Sequence, residues 1–588
     1  MKQFFKYVLA TVVGFLCVSL FMIIVGLGLI GSMMVADKGK PSITDGTVLR
    51  ISLGGVLSER SVDNPFASLL GNEATKSQGL NDLLAAIRVA KDNDKVKGIY
   101  LEGGVLTADF ASLEELRKAL ADFKKSKKFV IAYADAYTQG TYYVSSVADK
   151  VLLNPSGLID WHGLASEPIF YTDLLKKVGV KMQVFKVGTY KSAVEPFILT
   201  GMSEPNRMQV QSFVGDIWQG ICTDVAASRH LTTAQLNAYA DDYISLADPA
   251  DYVKKRLVDS LSYADGVRDR LRIMSGREKV KFVSPSQLAK LDKPAKAGKR
   301  IAVYYAEGEI VDQVTGSALS QQKPVIVGSK VVEDLDRLAH DDKVGAVVLR
   351  INSGGGSAYA SEQMWRAVQL LKKKKPVVVS MGGMAASGGY YMACGADYIV
   401  AEPTTLTGSI GIFGMVPDAS GLLTEKLGLH FDVVKTNRSS DFGALGRPLN
   451  EAESTAMQAY VDRGYKLFLS RVAAGRKMKT EEVDKIGQGR VWTGRQAAGI
   501  KLVDRLGTLD DAVAVAARRA KLTDYSVVSS PAQAPWFEQL LESTVKKDYM
   551  EEKLRTALGV YYAPLRFVST LSAQPSLQAR MFFVPNMK

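Results

Sequence analysis

The stretch "VGAVVLRINSGGGSAYASEQMWRAVQLLKKKKPVVVSM" (Val344–Met381) decides the fold. "VGAVVLRIN" is an almost unbroken aliphatic and β-branched run, the pattern of a strand buried on both faces. It stops at Gly354-Gly355-Gly356. "SAYASEQMWRAVQLLKKKK" then reads as an amphipathic helix closing on lysines, which complement the negative end of a helix dipole. "PVVVSM" is the next buried strand, followed by a helix in "SGGYYMACGA" and a strand in "YIVAEP". Buried strands alternating with helices predict a parallel α/β sheet. Glycines at its strand-to-helix turns leave backbone N–H groups at helix N-termini, where an oxyanion can be held.

The same pattern occurs earlier in the chain. Asp94-Lys95-Val96 matches Asp342-Lys343-Val344, an offset of 248. That offset carries Gly140 onto Gly388, Tyr142-Tyr143 onto Tyr390-Tyr391 and Pro155 onto Pro403. After one inserted residue, an offset of 249 places Gly179 on Gly428 and Lys186 on Lys435. The chain is therefore a duplication. The expected division is an N-terminal segment (1–44), a first repeat (45–275), a linker (276–297), a second repeat (298–525) and a C-terminal extension (526–588). The extension is rich in aromatic residues, and buried or interface helices are expected there.

At 588 residues the chain needs more than one core. Tyr7 to Val35 contains no charged residue, long enough for one helix across the roughly 30 Å hydrocarbon layer. It exceeds the apolar core of a cleaved leader and lacks a small-residue cleavage site, so an uncleaved anchor is expected. The short basic start, with Lys2 and Lys6, favours an orientation that leaves the bulk of the chain outside the cytoplasm. The net charge of +13 raises nucleic acid as a partner. The lysine runs, however, sit where helices end, so no nucleic acid is expected. Cys222 and Cys394 lie in apolar contexts and read as packing residues. No metal-ligating motif is present, and neither a metal nor a cofactor is expected.

The two copies differ where chemistry is at stake. "LTGSIGIFG" (Leu406–Gly414) places Ser409 among apolar and glycine residues, and its counterpart in the first repeat is Trp161. "VGTYKSAVEPF" holds Lys191, whose counterpart is Ser440. One repeat thus has a hydroxyl and the other an amine, and side-by-side packing would join them into one composite site. Burial lowers a lysine pKa and so frees the amine to act as a base; Glu195, four residues on, would oppose this if it faced the amine. Ser387, in "GMAASGGYY", is the second candidate nucleophile, with an N-cap or close packing as its other reading. A Ser-His-Asp triad is disfavoured, because His162, His230, His340 and His430 stand in no hydrolase motif.

"VGTYKSAVEPF", "RINSGGGSA", "MGGMAASGGYYMA", "TLTGSIGIFG" and "GRVWTGRQAAGIKLVDRLG", in this order across a duplication, resemble signal peptide peptidase A in its long, duplicated, membrane-bound form, also called protease IV. The resemblance runs from the anchor to about residue 525. It implies two tandem ClpP/crotonase-like domains and a serine endopeptidase. It also implies Ser409 as nucleophile, Lys191 as general base, and an oxyanion hole from Gly355 and Gly356, with help from the N–H of Ile410. The family usually carries proline where this chain has Gly354. The implied substrates are hydrophobic peptides left after signal-peptide cleavage. The implied setting is a homotetramer, single-pass in a bacterial inner membrane, with its soluble part on the extracytoplasmic side. A catalytically silent scaffold of the same fold is the competing reading. Acyl-CoA chemistry would need a CoA site and a carboxylate base, for which no motif is seen.

Overall fold

A computed structural model describes residues 43–61, 77–292, 298–313, 324–532 and 577–580, with a few isolated positions before residue 22. Most of the expected anchor, the middle of the linker and the helices expected within 533–576 lie outside the described residues. Among the described residues no helix is long and apolar enough to cross a membrane.

The first repeat builds a sheet from β1 (Thr47–Ser58), β2 (Ser77–Gly79), β3 (Val96–Thr107), β4 (Phe129–Tyr137) and β5 (Lys150–Ile159). A further strand, β6 (Lys181–Lys186), leaves this sheet, while β7 (Ser260–Leu261) and β8 (Lys281–Val283) complete it. Its order is β2-β1-β3-β4-β5-β7, with β8 on β1, and every pair is parallel. Helices α1 (Leu80–Asp92), α2 (Phe110–Lys124), α3 (Gln139–Ser145) and α4 (Glu204–Arg229) belong to this repeat.

The second repeat contributes β9 (Lys299–Glu307), β10 (Glu309–Val311), β11 (Val325–Val327), β12 (Val344–Ser353), β13 (Gly355–Ser357), β14 (Val377–Ala386), β15 (Tyr398–Ala401), β16 (Leu406–Gly408), β17 (Phe413–Asp418), β18 (Val491–Thr493), β19 (Arg505–Leu506) and β20 (Tyr525–Ser530). Its main sheet runs β18-β16-β14-β12-β9-β20, with β15 on β14. It is parallel except at β16–β18. Helices α5 (Gly328–His340) and α6 (Ala358–Lys372) begin 248 residues after α1 and α2. A short helix, α7 (Gly388–Ala393), follows β14, and α8 (Glu451–Arg476) matches α4.

The local signals account for these elements. Every residue of β14 is buried, as its unbroken apolar run requires. Ser357 caps α6 by accepting from the Ala360 N–H at 3.1 Å. The lysine runs hold helix ends. Lys128 donates to the carbonyls of Ala90, Lys91 and Asn93 at 2.8–2.9 Å, and Lys375 donates to Leu338 O at 2.7 Å.

A third sheet was not legible in the strand pattern. It is mixed and runs β11-β10-β13-β21-β17-β6, where β21 is Leu577–Arg580. β6 comes from the first repeat and lies antiparallel on β17 of the second, so this sheet joins the two halves of the duplication. A buried ion cluster joins them again. Arg350 on β12 donates to Glu59 at 2.8 Å and to Glu115 at 2.7 Å, and all three side chains are at most 3% exposed. Removing one member of such a cluster leaves its partners charged and dry, at a cost of about 3–5 kcal/mol. Arg350→Met is therefore expected to destabilise the fold by that order, read as a lowered denaturation midpoint.

Candidate active site

β6 delivers Lys191. Beyond it the chain turns at Gly188 (φ +100°) and hydrogen-bonds to the second repeat, with the Tyr190 N–H donating to Gln488 O at 2.8 Å. The lysine stem then passes between two glycines. A Cβ on Gly489 (φ +79°) would lie 2.6 Å from both Cβ and N of Lys191, and one on Gly411 would lie 3.1 Å from its Cδ. Glycine is required at 489 on both counts, space and backbone. Gly489→Ala is expected to cut kcat/KM by at least about a hundredfold, since an ångström of misplacement at a reacting group costs that much. A thermal melt of the same variant is expected to show a loss of about 1–3 kcal/mol from the strained backbone.

The Lys191 amine ends on serines. Nζ lies 2.9 Å from Ser387 Oγ, 3.1 Å from Ser409 Oγ and 3.2 Å from Ser409 O. Lys191 is 1% exposed. Burial alone brings its pKa down from 10.5 to about 7. Glu195, the residue that would have opposed this, faces elsewhere. Its carboxylate accepts from the Ser203 N–H at 3.1 Å, from Ser203 Oγ and from Asn206 Nδ2 at 2.9 Å. A neutral amine has two N–H donors and one lone pair, which matches the three contacts. The Ser409 carbonyl can only accept, so one hydroxyl accepts the second N–H and the other donates to the lone pair.

Both serines stand on strained backbone. Ser409 has φ +48°, and its N–H donates to Arg490 O at 2.7 Å. Ser387 sits between β14 and α7 with φ +53° and ψ −113°, a combination normally left to glycine. The oxyanion candidates divide between them. Gly355 (φ +97°) lies against Gly388, the residue after Ser387: a Cβ on Gly355 would fall 2.6 Å from Gly388 N. The Gly355 N–H itself donates to Ser353 Oγ at 3.1 Å. Gly356 packs on Ile310 of β10, and Ile410 is fully buried with its carbonyl accepting from Gly489 N. The sequence assigned no role in the site to Gly388, Gly411 or Gly489. The glycine pair after Ser387 was a legible signal; the slot around Lys191 was not. Gly354 is not among the positive-φ glycines, so the proline common in the family meets no left-handed backbone there.

A cavity and a strand flank the site. On the Ser409 side is a cavity of about 350 Å³ with Phe170, Tyr171, Phe197, Met202 and Phe213 in its wall. On the Ser387 side, β21 lies antiparallel between β13 and β17, with Ala579 opposite Gly356 and Gln578 opposite Phe413. A Cβ on Gly355 would also meet Ala579 O, at 2.2 Å, so that carbonyl rests over the Gly355–Gly388 contact.

In the first repeat the corresponding positions are structural. Trp161, in the place of Ser409, is fully buried and donates to Leu236 O at 3.0 Å. Gln139 accepts from the His162 and Gly163 N–H groups at 3.1 Å. The packing cysteines read from sequence are buried and free, with burial pushing both thiols up to about 12.

A parallel α/β duplication with one hydroxyl–amine junction defines a class of hydrolase, and comparison with known proteins gives the family. The model of peptidase family S49 matches residues 122–277 and 369–523, and that of Clp protease matches 316–405. The chain belongs to peptidase family S49 and is a serine peptidase with the ClpP-like fold. It is similar to Protease 4 of Salmonella typhi, at 38% identity over 86% of this chain and 83% of that one. Protease 4 of Haemophilus influenzae is 34% identical over 82% and 80%, and the chloroplastic serine protease SPPA of Arabidopsis thaliana 29% over 82% and 70%.

Proposed function

We propose that this peptidase works through a serine–lysine dyad, with Lys191 as general base and Ser387 as nucleophile. The observation that carries this is a dry Lys191 amine with no carboxylate partner among the described residues, held on two serine hydroxyls. This reading takes Ser387, the second candidate nucleophile, in place of Ser409, which the sequence motif put first. Ser387 is the hydroxyl whose following N–H, on Gly388, opens a helix, where the first N–H groups have no partner within the helix. It is also the one beside Gly355, where β13 begins. Ser409 then holds the lysine in place through both its hydroxyl and its carbonyl.

In this mechanism neutral Lys191 takes the Ser387 proton as Oγ attacks a peptide carbonyl. The N–H groups of Gly388 and Gly356 receive the oxyanion, Lys191 returns the proton to the leaving amine, and water releases the acyl group. β21 holds the place between β13 and β17 where an extended peptide pairs, and a substrate strand bound there displaces it. The apolar cavity suits hydrophobic peptides, such as spent signal peptides. The charge-free run at 7–35 would anchor the enzyme in a bacterial inner membrane, with its soluble part on the extracytoplasmic side. The homotetramer rests on the family resemblance. Cleavage of a hydrophobic fluorogenic peptide by detergent-solubilised protein tests the reading. A folded wild type inert to every such peptide would refute it.

A further inference from the structure

Lys191 sits between two stretches of backbone, its own and that of residues 489–491, and one side chain reaches both. Gln209 lies in the second turn of α4 and is 2% exposed. Its Nε2 donates to Tyr190 O at 3.0 Å and to Ser192 Oγ at 2.8 Å, on the two residues that flank the lysine. Its Oε1 accepts from the Val491 N–H at 3.1 Å. Val491 opens β18 and lies opposite Gly408 of β16, the residue before Ser409. It follows Arg490, whose carbonyl takes the Ser409 N–H, and Gly489, which encloses the lysine stem.

The direction of this amide is fixed by its partners. A primary amide donates from nitrogen and accepts at oxygen. The Val491 N–H can only donate and the Tyr190 carbonyl can only accept, so the nitrogen faces the lysine segment and the oxygen faces β18. Asn206, one turn earlier on α4, enforces the same choice. Its Nδ2 donates to Glu195 at 2.9 Å, which leaves its Oδ1 to accept from Gln209 Nε2 at 3.2 Å and from Ser192 Oγ at 2.8 Å. The second repeat has no such amide. Helices α4 and α8 match at an offset of 247, which lays Gln209 on Ala456, an exposed residue. Gln209 is thus confined to one repeat, as Lys191, Ser387 and Ser409 are.

We propose that Gln209 is a positioning residue for the general base, holding the backbone that carries Lys191 at a set distance from the strand pair that carries Ser409. The inference rests on the reading of Lys191 as base. With the amide in place, the lysine stem, Gly489 and Ser409 keep one spacing, and Nζ stays 2.9 Å from Ser387 Oγ and 3.1 Å from Ser409 Oγ. Without it the Val491 N–H is left buried and unpaired, and the Tyr190 carbonyl loses one of its donors. Segments 190–192 and 489–491 are then free to part. A shift of an ångström at a reacting group costs about a hundredfold in rate.

The test uses full-length protein in mild detergent. Gln209→Met keeps the length of the side chain and the apolar cavity wall beside Val210 and Phe213, and removes the hydrogen bonds. For a hydrophobic fluorogenic peptide, its kcat is expected to fall about ten- to a hundredfold with KM within about threefold of wild type, because the reacting groups move and the wall does not. Gln209→Glu puts a carboxylate in that wall, which favours a charged amine, and is expected to move the acid limb of the pH profile upward by about one unit. Hydrogen exchange reads the link without the reaction: the Tyr190 and Val491 amides are expected to exchange at least about tenfold faster in Gln209→Met. A Gln209→Met kcat within about threefold of wild type, a Gln209→Glu profile that superposes on that of wild type, or unchanged exchange at both amides would each overturn the proposal. Lys191→Met, run beside them, separates the two readings. An active Lys191→Met protein refutes the lysine as base and the proposal with it. An inactive one, together with any of those three results, refutes the role of Gln209 alone.

Discussion

Ser387→Ala is expected to lower kcat/KM for peptide cleavage by roughly ten-thousand-fold or more, the loss seen when a covalent nucleophile is removed. Ser409→Ala is expected to lower it by only about ten- to a hundredfold. The two hydroxyls differ by 0.2 Å in their distance to Lys191 Nζ, at 2.9 and 3.1 Å, so distance does not separate them. Surroundings do. Attack needs donors aimed at the developing oxyanion, and the Gly388 N–H and Gly355 at the start of β13 stand beside Ser387. Ser409 keeps its carbonyl on the lysine at 3.2 Å even in the alanine variant, so the amine stays partly oriented. Both variants should fold like wild type, because each removes one small buried hydroxyl. If Ser409→Ala is the dead variant and Ser387→Ala the active one, the nucleophile is at Ser409, as the sequence motif suggested. Lys191 would remain the base in either case.

Lys191→Met is expected to lower kcat/KM by at least about a thousandfold, from loss of the general base. In wild type, kcat/KM should fall tenfold per pH unit below about pH 7 and level off above it, following the neutral fraction of an amine with a pKa of about 7. Stability carries the same signature. Lys191 is lowered in the fold from 10.5 to about 7, so between these values the unfolded chain binds a proton that the folded chain does not. Stability therefore rises with pH across that window, and the cost of the buried lysine is fully present below pH 7 and gone above 10.5. The stability difference between wild type and Lys191→Met should shift toward wild type by a few kcal/mol from pH 7 to pH 10.5. The variant also loses three hydrogen bonds, but that offset is the same at every pH and cancels in the slope. A flat difference, together with activity unchanged from pH 5 to 9, would mean that Lys191 stays charged.

The sequence by itself determined the repeat and its fold. Unbroken β-branched runs such as "VGAVVLRIN" and "PVVVSM" have only one way to be buried, between helices in a parallel sheet, and the offset of 248 fixed the duplication. It also named the three residues that meet, because Lys191, Ser387 and Ser409 are each lost from the opposite repeat. Local pattern carries this much, since periodicity and turn glycines act within a dozen residues. The tertiary structure alone decided the rest. It turned Glu195 onto Ser203 and Asn206, threaded the Lys191 stem between Gly411 and Gly489, and set Gly388 against Gly355. It also assembled a third sheet from strands of both repeats and from β21. The lysine slot and the joining strands of the third sheet depend on segments more than 200 residues apart reaching one place, whereas Glu195 finds its partners within 11 residues and turns on how that local segment packs. Which hydroxyl has an oxyanion donor beside it, and which carboxylate turns away from the amine, is settled only when those segments pack.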